Sequence, residues 1–337
     1  MLKLTNLQFA LLLLVWLELT TFIVMDGVDF GTGIATIFNH EKDYKDQLIR
    51  SIGAVWSGRE AWMIVGFALI FAAFPGWYSA IFSGFYPVFI ILIVALTMRG
   101  LSFEYIDKWQ HDKFNIMWRW IFFLGNIVPP FIFGVVFSLF NSGLPIGQNG
   151  LLAFKLSTIF NPFALMTGIM FILFALQTSM IRESAFMTEK YQGKITDYQK
   201  KLNAIVPIAF VIEIIIYLVV GQGLKLHPII TVALLLLSLL LLIAIRFDEK
   251  FKKLHYPMII ISMAAFVISF FWSIFPNVIM STEGFNLNAQ NTASARESQL
   301  WAAWLVALML FLIIFVQGIT HYIFRKKYQV KDSDINY

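Results

Sequence analysis

The chain contains no cysteine. That removes disulfides, thiolate nucleophiles, cysteine-held clusters and cysteine-bearing zinc sites together. Charge is scarce as well: 13% of the 337 residues are Asp, Glu, Lys or Arg, about half the share a soluble domain carries. The five histidines, His40, His111, His227, His255 and His321, include no pair at i, i+4. Three of them fall in expected loops and two near span ends, a poor arrangement for axial haem ligands, which must point into a bundle. A phosphate-cradling glycine loop, a nucleophile elbow and a basic arm interleaved with aromatics are also missing, so nothing points to nucleic acid as a partner.

What the chain has instead is hydrocarbon. Hydrophobic residues make up 59% of it, and its mean hydropathy is +0.76. A bilayer core needs about 20 apolar residues per helix. Runs of that length predict nine spans, near 7–25, 54–73, 77–98, 117–140, 161–181, 202–220, 228–245, 257–279 and 300–324. The first run lacks a small-residue cleavage site and reads as a retained span. The Pro75–Gly76 break predicts a tight hairpin between the second and third spans. The separation of the sixth and seventh rests on "GQGLKLHP" at 221–228.

Loop charge sets orientation. Twenty Lys and Arg residues fall on one side of these spans and four (Lys3, Lys155, Lys225 and Arg296) on the other, with Arg59 inside a span. The expected topology has the N-terminus outside and the C-terminus in the cytoplasm.

An ionisable group in hydrocarbon is a functional candidate by default, since inserting one costs at least about 2.5–3.5 kcal/mol. "MDGVDFGTG" at 25–33 places Asp26 and Asp29 where the first span is expected to end, with Glu18 two turns earlier. On an unbroken helix Glu18 and Asp29 lie about 20° from a common face and about 16 Å apart, while Asp26 points about 80° away from Glu18. Such a stripe can lead protons inward from the cytoplasmic mouth, or form a polar subunit contact. The plainer alternative is that Asp26 and Asp29 cap backbone groups where the chain leaves the membrane, with Gly27, Gly31 and Gly33 supplying a turn and close packing.

In "WSGREAW" (56–62), Arg59 and Glu60 point about 100° apart, so each is expected to meet a partner on another helix. Glu60 can approach the acidic stripe and Arg59 can neutralise one of its members. The alternative is an ion pair that only locks the first two helices. Glu213, alone in its span, reads as a polar tie to a neighbouring helix. Asn126, Gln177, Gln317 and His321 read as interhelical glue, and Pro129 with Pro130 as a kink in the fourth helix.

These features, in order, resemble subunit II of the cytochrome bd quinol oxidases. The resemblance rests on Asp26-Gly27-Val28-Asp29-Phe30-Gly31-Thr32-Gly33, on Ser51, Ile52, Trp56 and Trp62, on "FAAFPGWYSAIFSGFY" (71–86), and on "RGLSFEY" (99–105) with its Arg99. "MWRW" (117–120) and "GNIVPPFIFGVVF" (125–137) continue it, and "FPN" (275–277) and "NTASA" (291–295) extend it more weakly. It implies an all-α membrane protein of nine transmembrane helices: a four-helix bundle over 1–140, a second over 141–285, and a last outer loop, peripheral ninth helix and cytoplasmic tail over 286–337. It also implies a multi-pass chain of the bacterial cytoplasmic membrane, without haem of its own, paired with a haem-bearing subunit I. That partner would carry haems b and d, reduce O2 to water with electrons from quinol, and draw protons from the cytoplasm. Some members hold a structural quinone or a small single-span subunit.

Carried onto this chain, the resemblance matches Asp29 and Asp26 to the acidic positions at the cytoplasmic end of the first helix; with Glu18 and Glu60, read from the residues themselves, and Ser57, they are the candidates for a proton path or subunit contact. Trp56, Gly27, Gly31 and Arg99 become structural motif positions. The chain departs from the pattern in one place: many members have Asp-x-Asn after the tryptophan, and here Ser57-Gly58-Arg59 follow Trp56. Ser57 can relay a proton but cannot hold charge, and Glu18 is expected to take over the acid function. A proton- or cation-coupled secondary transporter is the rival reading, supported by the intramembrane acids Glu18, Glu60 and Glu213. Against it, no matched pair of Gly/Pro-interrupted helices is visible in two inverted halves.

Overall fold

The structure, a computed structural model, describes residues 4–53, 56–106, 108, 112–152, 156–221, 226–247 and 252–324. Eleven α-helices carry it: α1 Asn6–Ala35, α2 Lys42–Gly53, α3 Trp56–Ala73, α4 Pro75–Gly84, α5 Tyr86–Tyr105, α6 Asp112–Ser142, α7 Pro162–Phe186, α8 Glu189–Val220, α9 Pro228–Phe247, α10 Lys252–Ile274 and α11 Arg296–Phe324. Among the described residues, α1 and α5 to α11 are eight helices long and apolar enough to cross a membrane, and α2 with α3 forms a bent pair that would bring the number to nine.

The first helix departs from the expected boundary. Instead of ending near Met25, α1 runs ten residues further to Ala35, opened by a reciprocal Thr5–Gln8 capping box. Every residue from Asp26 to Ala35 is buried. The glycines therefore make no turn; they let other helices come close, as small residues do in membrane interiors. A Cβ on Gly31 would stand 1.9 Å from the Ala175 carbonyl oxygen on α7, and one on Gly33 would meet the Asn126 side chain on α6 at 2.1 Å. α1 is thus the central post, packed on α3, α6 and α7. The capping role expected for Asp26 and Asp29 is corrected accordingly: both sit mid-helix, where backbone groups already bond within the helix.

The expected third span is also two helices. Pro75 opens the ten-residue α4 and Pro87 lies in the first turn of α5. A proline cannot supply the backbone N–H that would continue a preceding helix, so the chain breaks at Phe85. α5 then runs past Met98, where the apolar run had suggested a loop, to Tyr105. This places Arg99, counted above among loop cations, fully buried inside a helix.

α6 stays helical through Pro129 and Pro130. It approaches α7 at Gly134, where a Cβ would lie 2.6 Å from the Thr167 carbonyl oxygen. In the second half the interhelical ties are polar. Gln177 Nε2 donates to Asn203 Oδ1 (2.9 Å) between α7 and α8, Thr167 Oγ1 to Glu213 Oε1 (2.5 Å) between the same pair, and Ser238 and Ser262 join α9 to α10 (2.8 Å). Asn141 of α6 gathers Tyr217 and Ser273 hydroxyls and donates to the Phe270 carbonyl oxygen.

At the other end of the molecule, β1 (Asn277–Ile279) pairs antiparallel with β2 (Leu287–Asn288). The loop that follows closes over the α3–α4 corner, with Ser294 N–H donating to the Ala73 oxygen (2.9 Å) and Gly76 N–H to the Thr292 oxygen (3.1 Å). The "FPGW" and "NTASA" segments, remote in sequence, meet there. α11 lies against α3, tied by Gln317 Nε2 to the Gly58 oxygen (2.8 Å).

Candidate functional site

The site grows from one stripe on α1. Asp26, Asp29 and Thr32 follow at i, i+3 and i+6, and all three are fully buried. Each meets a different element. Asp26 accepts two hydrogen bonds from Arg99 of α5, at 2.8 Å each. This fork-to-fork pairing is the strongest geometry open to a guanidinium and a carboxylate. Asp29 pairs with Arg59 of α3, which also reaches the Met25 oxygen (3.4 Å). Arg99 lies 3.9 Å from Asp29 and 3.6 Å from Glu60 of α3, and its guanidinium stacks 4.5 Å from the centre of the Phe30 ring. Three carboxyls and two guanidiniums from three helices thus share one volume. One formal negative charge is left over, and uptake of a single proton balances it.

Thr32 continues the stripe. Its hydroxyl lies 2.8 Å from that of Ser179 on α7 and 3.5 Å from Glu183 Oε1. Glu183 is fully buried; Arg182 (2.6 Å) and the Ser51 hydroxyl of α2 (3.0 Å) donate to it. Sequence reasoning missed Glu183, because "IRE" at 181–183 fell at the end of the fifth span and Arg182 was counted as a loop cation. The signal was present: Arg182-Glu183 repeats the adjacent pair Arg59-Glu60.

Glu18 sits deeper in the same helix, fully buried, with neither carboxyl oxygen hydrogen-bonded among the described residues. It packs on α3, where a Cβ on Gly66 would lie 3.2 Å from the Glu18 Cβ. Glu60 is one-fifth exposed and is the most water-accessible carboxyl of the group. Of the sequence candidates, then, Asp26, Asp29, Glu60 and Arg99 are brought together with Arg59, and Glu18 stands apart along the same helix. Gly27 and Gly31 are contact points of that helix. Trp56 and Ser57 belong to the first turn of α3, but their side chains lie outside the described residues, as does that of His321. Glu213 is tied to Thr167 in the second half of the chain, away from this cluster.

His227 Nε2 bonds the Phe275 oxygen (2.8 Å), His40 is exposed, and His255 is in the first turn of α10. Among the described residues no group of three or more His, Asp or Glu is placed to hold a metal ion. A cavity of about 20 Å³ beside Leu19, Trp77 and Phe140 is lined only by apolar side chains, and is close to the size of a single water site.

Fold and site together define an integral-membrane helical protein whose core holds a compact ionic cluster. The family described as cytochrome bd terminal oxidase subunit II matches residues 7–324, and the chain belongs to it. It is 29% identical over 320 residues to cytochrome bd ubiquinol oxidase subunit 2 of Bacillus subtilis (strain 168), covering 92% of this chain and 94% of that one. It is 36% identical over 168 residues to cytochrome bd-I ubiquinol oxidase subunit 2 of Escherichia coli (strain K12), covering 48% and 44%. The fold resembles a chain in the structure of bd oxidase from Geobacillus thermodenitrificans, with a TM-score of 0.73 and 15% identity over 95% of this chain and 99% of that one. The protein is therefore subunit II of a cytochrome bd quinol oxidase complex, an oxidoreductase of the membrane, and implies a partner subunit I. The family match leaves the secondary transporter reading without support.

Proposed function

We propose that this chain is the haem-free buttress of a haem-bearing subunit I in the bacterial cytoplasmic membrane, and that its α1 stripe supplies protons for the reduction of O2 to water by quinol. Haems b and d belong to the partner in this reading. The topology is nine spans in two four-helix bundles, over 1–140 and 141–285, with α11 peripheral in 286–337. The N-terminus lies outside and the C-terminus in the cytoplasm. In this reading a small single-span subunit and a structural quinone are optional parts of the assembly.

The observation that carries the reading is the cluster itself. Burying three carboxyls and two guanidiniums among apolar helices is costly, and the excess carboxyl gives the group a place to hold one proton. Its parts have different tasks. Asp26 and Arg99 form the fixed pair that holds α1 to α5. Glu60, the accessible member, takes a proton from the cytoplasmic side, where Lys and Arg accumulate. Asp29, between Arg59 and Arg99, passes it along α1 toward Glu18, about 16 Å deeper along the helix. With Ser57 in place of the family's carboxyl, Glu18 is the acid that stores the proton within the membrane. Its unbonded oxygens fit that role.

The test is quinol-driven O2 consumption by the purified complex. Glu18→Gln should slow turnover about 100-fold or more, within the range for loss of one proton-transfer group, while the reduced-minus-oxidised haem spectrum stays as in the parent. Unchanged turnover would remove Glu18 from the route.

A further inference from the structure

A second polar site lies at the end of the bundle that carries the lysine and arginine excess, away from the α1 cluster. There α7, α8, α9 and α10 leave a cavity of about 310 Å³, a size at the small end of ligand pockets. Its wall includes Lys200 of α8, Arg246 of α9, and Lys252 and His255 of α10, interleaved with neutral groups such as Gln199 and Asn203. No carboxylate lines it among the described residues.

Several other cations at this end are ion-paired. Lys190 and Lys194 pair with Glu41, Lys108 with Glu104, Arg119 with Asp46, and Arg182 with Glu183. Among the described residues, Lys200, Arg246 and Lys252 face the cavity without an ion pair. Among the described residues no lining carboxylate offsets their mutual repulsion. α10 adds to it. The 23-residue helix begins at Lys252 with no acidic residue in its first turn, so its dipole puts further positive potential there. Three cations and a helix N-terminus around this cavity match a phosphate-bearing anion.

The surroundings decide the carrier. Next to the cavity, α8 exposes Ile205 and Ile208 and α9 exposes Leu240 and Phe247, the last 79% accessible. Acyl chains can lie on these residues while the headgroup enters the cavity. We propose that this pocket is a binding site for the phosphate headgroup of an anionic phospholipid, held across the junction of the α7–α8 and α9–α10 helix pairs.

The experiment uses the complex with subunit I, stripped of lipid in detergent and titrated with phosphatidylglycerol, phosphatidylcholine or inorganic phosphate, with native mass spectrometry as readout. The complex should retain phosphatidylglycerol. The triple variant Lys200→Gln/Arg246→Gln/Lys252→Gln should bind it about 100-fold more weakly, at about 1 kcal/mol per lost cation. A control with Lys113→Gln/Lys201→Gln/Lys253→Gln, three exposed cations outside the cavity, should bind as the parent does and shows that lost charge alone is not the cause. Equal retention by parent and pocket variant overturns the site. Equal retention of phosphatidylcholine, or binding of inorganic phosphate with no phosphatidylglycerol retained, overturns the lipid assignment.

Discussion

At the scale of single residues, hydrocarbon makes charge conspicuous. The decisive pair is Asp26 with Arg99, both fully buried and joined by two 2.8 Å bonds. Removing one member of such a pair strands the other, at about 3–5 kcal/mol. Asp26→Ala should therefore lower the yield and melting temperature of the assembled complex. Arg99→Lys should recover only part of the loss, because an ammonium cannot reproduce the forked geometry. A parent-like melting temperature for Asp26→Ala would mean that Asp29 and Glu60 suffice to hold Arg99. Glu18, Asp26, Asp29, Arg59 and Glu60 could be found in the sequence because each interrupts an apolar run. Arg99 could be found as a motif but not as a buried group, since the run stops at Met98 while the helix continues to Tyr105. Glu183 escaped for the same reason in mirror image: it lies in the last turn of α7, and its burial comes from α1 and α2 folding over it, which local composition does not encode.

At the scale of elements, glycine spacing on α1 decides how closely its neighbours approach. Two substitutions separate contact from flexibility. Gly31→Ala drives a methyl to 1.9 Å from a backbone oxygen of α7, which cannot yield without moving the helix. Gly27→Ala meets only the flexible Met263 Cε, at 3.0 Å. The first should abolish assembled complex and the second should be nearly neutral, as judged by complex recovered per cell. Similar recovery for both would mean that α1 and α7 are not packed at Gly31. The same glycines explain why the end of the first helix was misplaced from sequence: Gly-rich strings signal turns in water and close contacts in membranes.

A second element-scale device sits in the connection between α1 and α2. Glu41, just before α2, accepts bonds from Lys194 (2.9 Å) and Tyr191 (2.8 Å) and pairs with Lys190 (2.9 Å), stapling the α1–α2 connection to α8. Hydrogen bonds from Lys194, then Lys190 and Tyr191, hold its carboxyl down from 4.5 to about 2. A lowered folded pKa makes the staple's contribution complete above about 4.5 and lost as pH falls toward 2. Glu41→Gln should therefore speed hydrogen exchange in α2 at pH 7, and acidifying the parent from pH 7 to pH 5 should not. A parent whose α2 loosens over that interval would be governed by another group.

For the whole molecule, the two ends differ in kind. One carries the Lys/Arg-rich connections, the α1 cluster and the basic cavity; the other carries the β1–β2 hairpin and the loop that closes on the α3–α4 corner. If protons enter at Glu60, the basic end must face the cytoplasm, so orientation and mechanism stand or fall together. The lack of cysteine makes this directly measurable, because any introduced thiol is the chain's sole one. Glu283 is exposed beyond β1, and Lys194 is exposed near the start of α8, at the opposite end. In intact cells a membrane-impermeant maleimide should label Glu283→Cys and leave Lys194→Cys unlabelled until the membrane is opened. The reverse pattern would put Glu60 on the outside, where a route from it could not draw protons from the cytoplasm, and the ionic cluster would then remain only as the lock between α1, α3 and α5.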